Sequence, residues 1–130
     1  MFSAVRRKAR VRPAEGPVEP DNIVEMFAGF GPVVVRKMFG GFGIYADGTM
    51  FALAHDGLVY LKADRATAAA FEREGREQFT YTAKNGKRAV MSYWGLPDRL
   101  YDDPDELARW AHDALAAARR ATRPGAKPKR

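Results

Sequence analysis

The sequence predicts an α+β fold: an antiparallel sheet of about five to six strands with three helices packed on it. Three observations carry that expectation. Three segments place apolar residues at helical spacing. The runs between them are rich in β-branched and aromatic residues, as strands are. Asp-Gly and Asn-Gly pairs separate those runs at hairpin spacing, and short hairpin links make neighbouring strands antiparallel. A chain of 130 residues fits one domain, since two would need roughly 100 residues each.

The elements follow in order. Residues 1–19 contain Pro13, Gly16 and Pro17 without apolar periodicity, and read as a flexible basic arm. Asp21-Asn22 offers an N-cap for a first helix carrying Ile23, Met26, Phe27 and Phe30, closed by Gly29, Gly31 and Pro32. Val33-Val34-Val35 opens a strand running to Phe39. Its alternation sends Arg36 and Lys37 to opposite faces, so only one of them joins a given surface patch.

Asp47-Gly48 suits a two-residue type I′ turn. That register pairs Ile44 with Phe51 and Phe42 with Leu53 on one face. At His55-Asp56-Gly57 two registers compete. A two-residue turn puts Leu58 and Tyr60 on that face, whereas a three-residue loop puts Val59 and Leu61 there. The longer loop is favoured because it gathers the larger aliphatic groups. Asp64 caps an alanine-rich helix that Gly75 closes. Asn85-Gly86 turns a third hairpin, placing Phe79 and Tyr81 on the face of Val90. Asp103-Pro104-Asp105-Glu106 starts the last helix with a cap, a proline at the first position and acids at the positive dipole end. Leu107, Trp110, Ala111, Ala114, Leu115 and Ala118 form its apolar stripe. The domain thus spans 20–120, and 121–130 is a basic tail.

Charge is segregated. Of 22 basic residues, eleven lie in 1–12 and 119–130, where there is no acid. All 16 acids lie between 13 and 118, leaving that body with a net charge of −5. Basic ends attract polyanions through counterion release, without reading sequence. The candidate nucleic-acid contacts are accordingly Arg6, Arg7, Arg119 and Arg120 at the ends, with Arg36, Lys37 and Arg88 from the body. Solvated tails that aid solubility explain the same residues without a partner.

Other chemistries find little support. There is no cysteine, which excludes disulfides, thiolate metal sites and cysteine nucleophiles. No apolar run approaches the roughly 18 residues of a membrane helix, so no membrane partner is expected. The arginine-rich start lacks the serine content of a transit peptide, and the expected location is cytoplasmic. Gly40, Gly41 and Gly43 lead from strand to strand with no following Lys-Ser/Thr, so they read as a close backbone approach rather than a phosphate loop. His55 and His112 lack a second imidazole at ligand spacing. Ser92 stands outside any nucleophile elbow. The acid pairs Asp102-Asp103 and Asp105-Glu106 suit helix capping. Tyr93-Trp94 with Arg88 could stack bases, but packing of the last helix on the sheet explains the aromatics more simply. No catalytic residue, cofactor or metal is assigned.

Five linked segments carry a family resemblance. They are Arg36-Lys37-Met38-Phe39-Gly40-Gly41-Phe42-Gly43-Ile44-Tyr45 with Asp47-Gly48-x-Met50-Phe51-Ala52; Leu58-Val59-Tyr60-Leu61-Lys62; Phe79-Thr80-Tyr81; Met91-Ser92-Tyr93-Trp94-x-Leu96-Pro97; and Asp103-Pro104-Asp105-Glu106-Leu107-x-x-Trp110-Ala111. In order and spacing, over about residues 21–120, the chain resembles the N-terminal domain of the TfoX/Sxy family. The resemblance implies an α+β domain with an antiparallel sheet. It implies a non-enzymatic regulator or adaptor linked to transcription and DNA uptake, since the namesakes regulate natural competence alongside a transcription activator. It implies no cofactor and no catalytic residues. The partner so implied is a protein, with DNA as the alternative through the basic arms, and an exposed strand edge would let two copies pair as a homodimer.

Overall fold

A computed structural model describes residues 19–38 and 40–122. The expected arm over 1–19 and tail over 121–130 lie almost wholly outside these residues. The elements in chain order are α1 (Pro20–Met26), β1 (Val34–Met38), β2 (Gly41–Ala46), β3 (Thr49–His55), β4 (Leu58–Lys62), α2 (Ala68–Arg73), β5 (Gln78–Thr82), β6 (Arg88–Gly95), a 3-10 turn (Asp98–Asp102) and α3 (Pro104–Thr122). The six strands form one antiparallel sheet in the order β1-β2-β3-β4-β6-β5. This is the α+β arrangement that patterning predicts.

All three helices lie on one face. Ile23 and Phe27 of α1, Phe71 of α2, and Leu107, Ala111, Ala114 and Ala118 of α3 share a core with Ile44, Phe51, Ala52, Ala54, Val59 and Leu61 of the sheet. Phe51 lies at its centre, edge-on to Phe27 at 5.4 Å and tilted against Phe30 at 5.0 Å. The last helix begins as its sequence dictates. The Asp103 carboxylate accepts the Glu106 N–H at 3.0 Å, and Pro104 takes the first position. Trp110 is half-buried, set edge-on to Phe71 at 5.0 Å, and its indole N–H reaches the Glu106 carboxylate.

The first helix starts earlier than the Asp21-Asn22 cap implies. Pro20 is its first residue, and Glu19 precedes it without a side-chain cap. Proline's fixed φ suits the first helical position and overrides the weaker signal of Asn22. Asp64 also acts one step before its helix. Its Oδ1 accepts the N–H groups of Ala66 and Thr67, closing a turn that leads into α2. At the far end Arg76 N–H bonds Phe71 C=O and Gly75 N–H bonds Glu72 C=O, with Gly75 at φ 73°, a Schellman closure.

The strand registers correct three expectations. Asp47-Gly48 does form a two-residue turn, with φ of 51° and 78°. Beyond it, Tyr45 faces Met50 but Ile44 faces Ala52, so Phe51 is the extra residue of a β-bulge. Phe51 and Ala52 are both buried on the helical side, and Leu53 turns to the opposite face. The next link is the two-residue turn Asp56-Gly57, with His55 facing Leu58. Val59 and Leu61 still reach the helical core, because the bulge in β3 has already shifted the alternation by one. In the third hairpin, Ala83 N–H bonds Lys87 C=O across a three-residue loop with Gly86 at φ 89°. Thr80 therefore faces Val90, while Phe79 and Tyr81 join the other side of the sheet.

Gly41 marks the close approach expected of the glycine run. A Cβ there would lie 2.1 Å from the Ala54 carbonyl oxygen.

Candidate functional site: the uncovered face of the sheet

Among the described residues, no helix packs on the second face of the sheet. Its centre is Leu53, Phe79 and Tyr93, which are buried by their own neighbours Met50, Tyr60, Tyr81 and Met91. Strand alternation sets this composition. In β4, Val59 and Leu61 point to the helices, so Tyr60 and Lys62 point away. In β6, Trp94 packs on the covered side, stacked with Phe71, while Tyr93 and Met91 face out.

The face has defined contacts. Phe79 is the hub, with Tyr60 at 4.9 Å and His55 at 5.3 Å. Toward β1, a Cβ on Gly43 would meet the sulfurs of Met38 and Met50 at 2.9 and 3.2 Å. The missing side chain lets two methionines close over the backbone beside Tyr45. Two cations rest on rings: the Arg36 guanidinium 5.6 Å from the Tyr45 centroid, and the Lys62 ammonium 5.3 Å from that of Tyr93.

Burial sets the protonation chemistry. The Tyr93 phenol is pushed up to about 12, chiefly by burial and secondarily by Tyr45. Burial, then Asp56, raises the Tyr60 phenol. Burial lowers the Lys62 ammonium, against an opposing pull from Asp64. These groups present neutral hydroxyls, methionine sulfur and two cations to solvent. Among the described residues, no group of three or more His, Asp or Glu is placed to hold a metal ion.

The candidate contacts read from the sequence are scattered. Arg6 and Arg7 lie outside the described residues. Arg36 and Lys37 are exposed on β1, on opposite faces, and only Arg36 belongs to the uncovered one. Arg88 is exposed at the start of β6, four strands away, about 19 Å at the usual strand spacing. Arg119 and Arg120 end α3, where they tie the helix to carboxylates, Arg119 to Asp47 at 3.2 Å and Arg120 to Asp64 at 2.7 Å. Tyr93 and Trp94 occupy opposite faces, so they share no stacking platform. His55 packs on Phe79, and the exposed His112 lies 4.7 Å from the Phe30 ring. Sequence reasoning missed the set Met38, Tyr45, Met50, Tyr60, Lys62 and Met91. The available signal was the alternation of Leu58-Val59-Tyr60-Leu61-Lys62, which places Lys62 on the face of Tyr60.

A single antiparallel sheet covered by helices on one face, its other face carrying methionine, tyrosine and two ring-seated cations, defines an α+β domain of the one-sided helix-on-sheet class. Within that class, the TfoX N-terminal domain model matches residues 25–118, and the chain belongs to this family. It is 28% identical over 106 residues to the DNA transformation protein TfoX1 of Aliivibrio fischeri, covering 78% of this chain and 50% of that protein. It is 29% identical over 94 residues to Protein Sxy of Escherichia coli, covering 72% of this chain and 44% of that protein. The chain spans about half the length of these curated relatives, and neither name denotes an enzyme. Among the described residues, no helix is long and apolar enough to cross a membrane.

Proposed function

We propose that this domain is a cytoplasmic, non-enzymatic regulator of DNA-uptake gene expression that acts by binding a protein through the uncovered face of its sheet. The observation that carries this reading is the composition of that face. Tyrosine, methionine and arginine are enriched at protein interfaces, and methionine adapts its shape to a partner. A buried centre of Leu53, Phe79 and Tyr93 ringed by part-exposed Met50, Tyr60, Tyr81 and Met91 has the anatomy of a contact surface with an apolar core. Membership of the TfoX family and likeness to a protein named for DNA transformation support the regulatory role.

The test is a pull-down from a naturally competent host, paired with transcript levels of DNA-uptake genes. Wild-type protein should retain one partner at stoichiometric yield. Met91→Asp should release it and lower the transcripts, while Arg109→Asp on exposed α3 should do neither. Equal retention by Met91→Asp and wild type would discard the assignment to this face. If the retained partner is a second copy, sedimentation will show dimers that Met91→Asp dissolves.

A further inference from the structure

We infer that the groove where β4 runs into the turn at Asp64 binds a free mononucleotide, with the base against Trp94 and the phosphate at Lys62. The groove sits at the end of the sheet and opens beside α3; it shares Lys62 with the edge of the bare face, whereas Trp94, Arg65 and Arg120 lie outside that face. It holds about 880 Å³, within the range of small-molecule sites.

Its lining contrasts with the rest of the body. Lys62 and Arg65 set two cations against the single carboxylate of Asp64, and Arg120 of α3 adds a third, whereas residues 13–118, which include the first two, together carry an excess of five acids. Asp64 is already engaged by Arg120 at 2.7 Å. Lys62 is half-buried, and its ammonium donates to the neutral hydroxyl of Ser92 at 2.5 Å. No carboxylate among the described residues pairs with it within 4.0 Å. Asp64, the carboxylate that shares the groove, is held by Arg120, and burial lowers the proton affinity of the half-buried Lys62 ammonium against the pull of Asp64. An entering phosphate supplies further negative charge, and the exposed Arg65 at the rim can follow it.

The aromatic half of the ligand is set by Trp94. One side of its ring is stacked with Phe71, centroids 6.2 Å apart at 25°, while the ring also lines the groove. A rigid, part-exposed indole beside concentrated positive charge suits a flat base carrying a phosphate, since stacking tolerates any base. A bare anion would leave the indole unused, and a neutral ring would bring Lys62 no negative charge.

The experiment uses the full chain, labelled with nitrogen-15, titrated with AMP, GMP, CMP and UMP. The readout is the indole N–H resonance of Trp94, with Trp110, held by Glu106, as the internal reference. At least one mononucleotide should give a saturable shift at Trp94 that leaves Trp110 in place. The matching nucleoside and inorganic phosphate should each bind about tenfold more weakly or worse. Lys62→Met should weaken the nucleotide about tenfold. Arg65→Ala, at an exposed position that does not threaten folding, should weaken it by a factor of about three, and Arg88→Ala should leave it unchanged. The inference is overturned if no mononucleotide saturates at low-millimolar concentration, or if Arg65→Ala binds as tightly as wild type. Response to a single-stranded oligonucleotide alone would overturn it equally.

Discussion

The two faces of the sheet are built from the same strands but solve different problems. On the covered face, three helices bury Phe27, Phe51, Ile44, Leu61 and Leu107 completely, or nearly so. On the bare face, Leu53, Phe79 and Tyr93 are the buried residues among those described, and they are shielded by methionines and tyrosines that themselves meet water. The covered face therefore sets the stability of the fold, and the bare face is free to be specified by contact. The sharpest way to break this division is to hollow each face once. Phe51→Ala removes a ring that touches Phe27 and Phe30 in a closed layer, and should cost about 3–5 kcal/mol. Leu53→Ala should cost nearer 2 kcal/mol, because flexible Met50 and Met91 can settle into the space. Urea midpoints at unchanged slope measure both. Equal losses would show that the bare face is as rigid a core as the covered one.

Two tyrosines, one on each side, extend the comparison to alkaline pH. Tyr93 on the bare face and Tyr101 against the helical core are both pushed up to about 12, burial being the first cause for each. Tyr101 also accepts the Val59 N–H at 2.9 Å. In the unfolded chain a phenol titrates near 10, so the folded state favours the neutral forms. Their contribution is complete below about pH 10 and is lost as pH climbs through about 12, at roughly 2–3 kcal/mol for each tyrosine. Phenolate absorbance should show both titrating together with unfolding. Tyr93→Phe and Tyr101→Phe should each move the alkaline unfolding midpoint upward. An unmoved midpoint for Tyr93→Phe alone would mean that the bare face admits water to its centre.

The elements were legible in the sequence because they rest on local signals. Asp103-Pro104 begins α3, Gly75 ends α2, and Asp47-Gly48 makes its turn, each through chemistry confined to a few residues. Register was not legible in the same way. Nothing local in Thr49-Met50-Phe51-Ala52-Leu53 announces the bulge. It satisfies two distant demands at once, a bulky ring for α1 and small alanines at 52 and 54. The backbone carbonyl of Ala54 in turn comes so close to Gly41 that a Cβ at position 41 has no room. One unseen residue of slip sent Leu53 to the wrong face, although the aliphatic preference of Val59 and Leu61 placed them correctly. The bare face was hidden for the same reason, since each strand gives it only every second residue. The basic residues that sequence reading put forward were visible as charge, but charge alone does not reveal that Arg119 and Arg120 end at Asp47 and Asp64.

The cover itself can be probed at its start. Asp103→Ala removes the carboxylate that accepts the Glu106 N–H and should cost about 1 kcal/mol in a thermal or urea melt. Asn22→Ala, within α1 and exposed, should change stability by less than about 0.5 kcal/mol, because Pro20 rather than Asn22 begins that helix. A larger effect at Asn22 than at Asp103 would mean that α1, not α3, governs closure of the covered face.

A substitution with little effect on folding carries the most weight for function. Arg36→Glu keeps β1 intact, since the side chain is exposed and its contact is the Tyr45 ring at 5.6 Å. Loss of that cation–π contact should cost below about 1 kcal/mol. The charge reversal nevertheless places a carboxylate on the bare face beside Met38 and Tyr45. A partner docked there must then either desolvate an unpaired anion or leave the face, so capture should fall much further than stability does. Lys37→Glu, one residue along and on the opposite side of the strand, introduces the same charge with no such contact and should leave capture intact. Equal losses for the two variants would trace the effect to net charge, and the bare face would lose its claim as the contact surface.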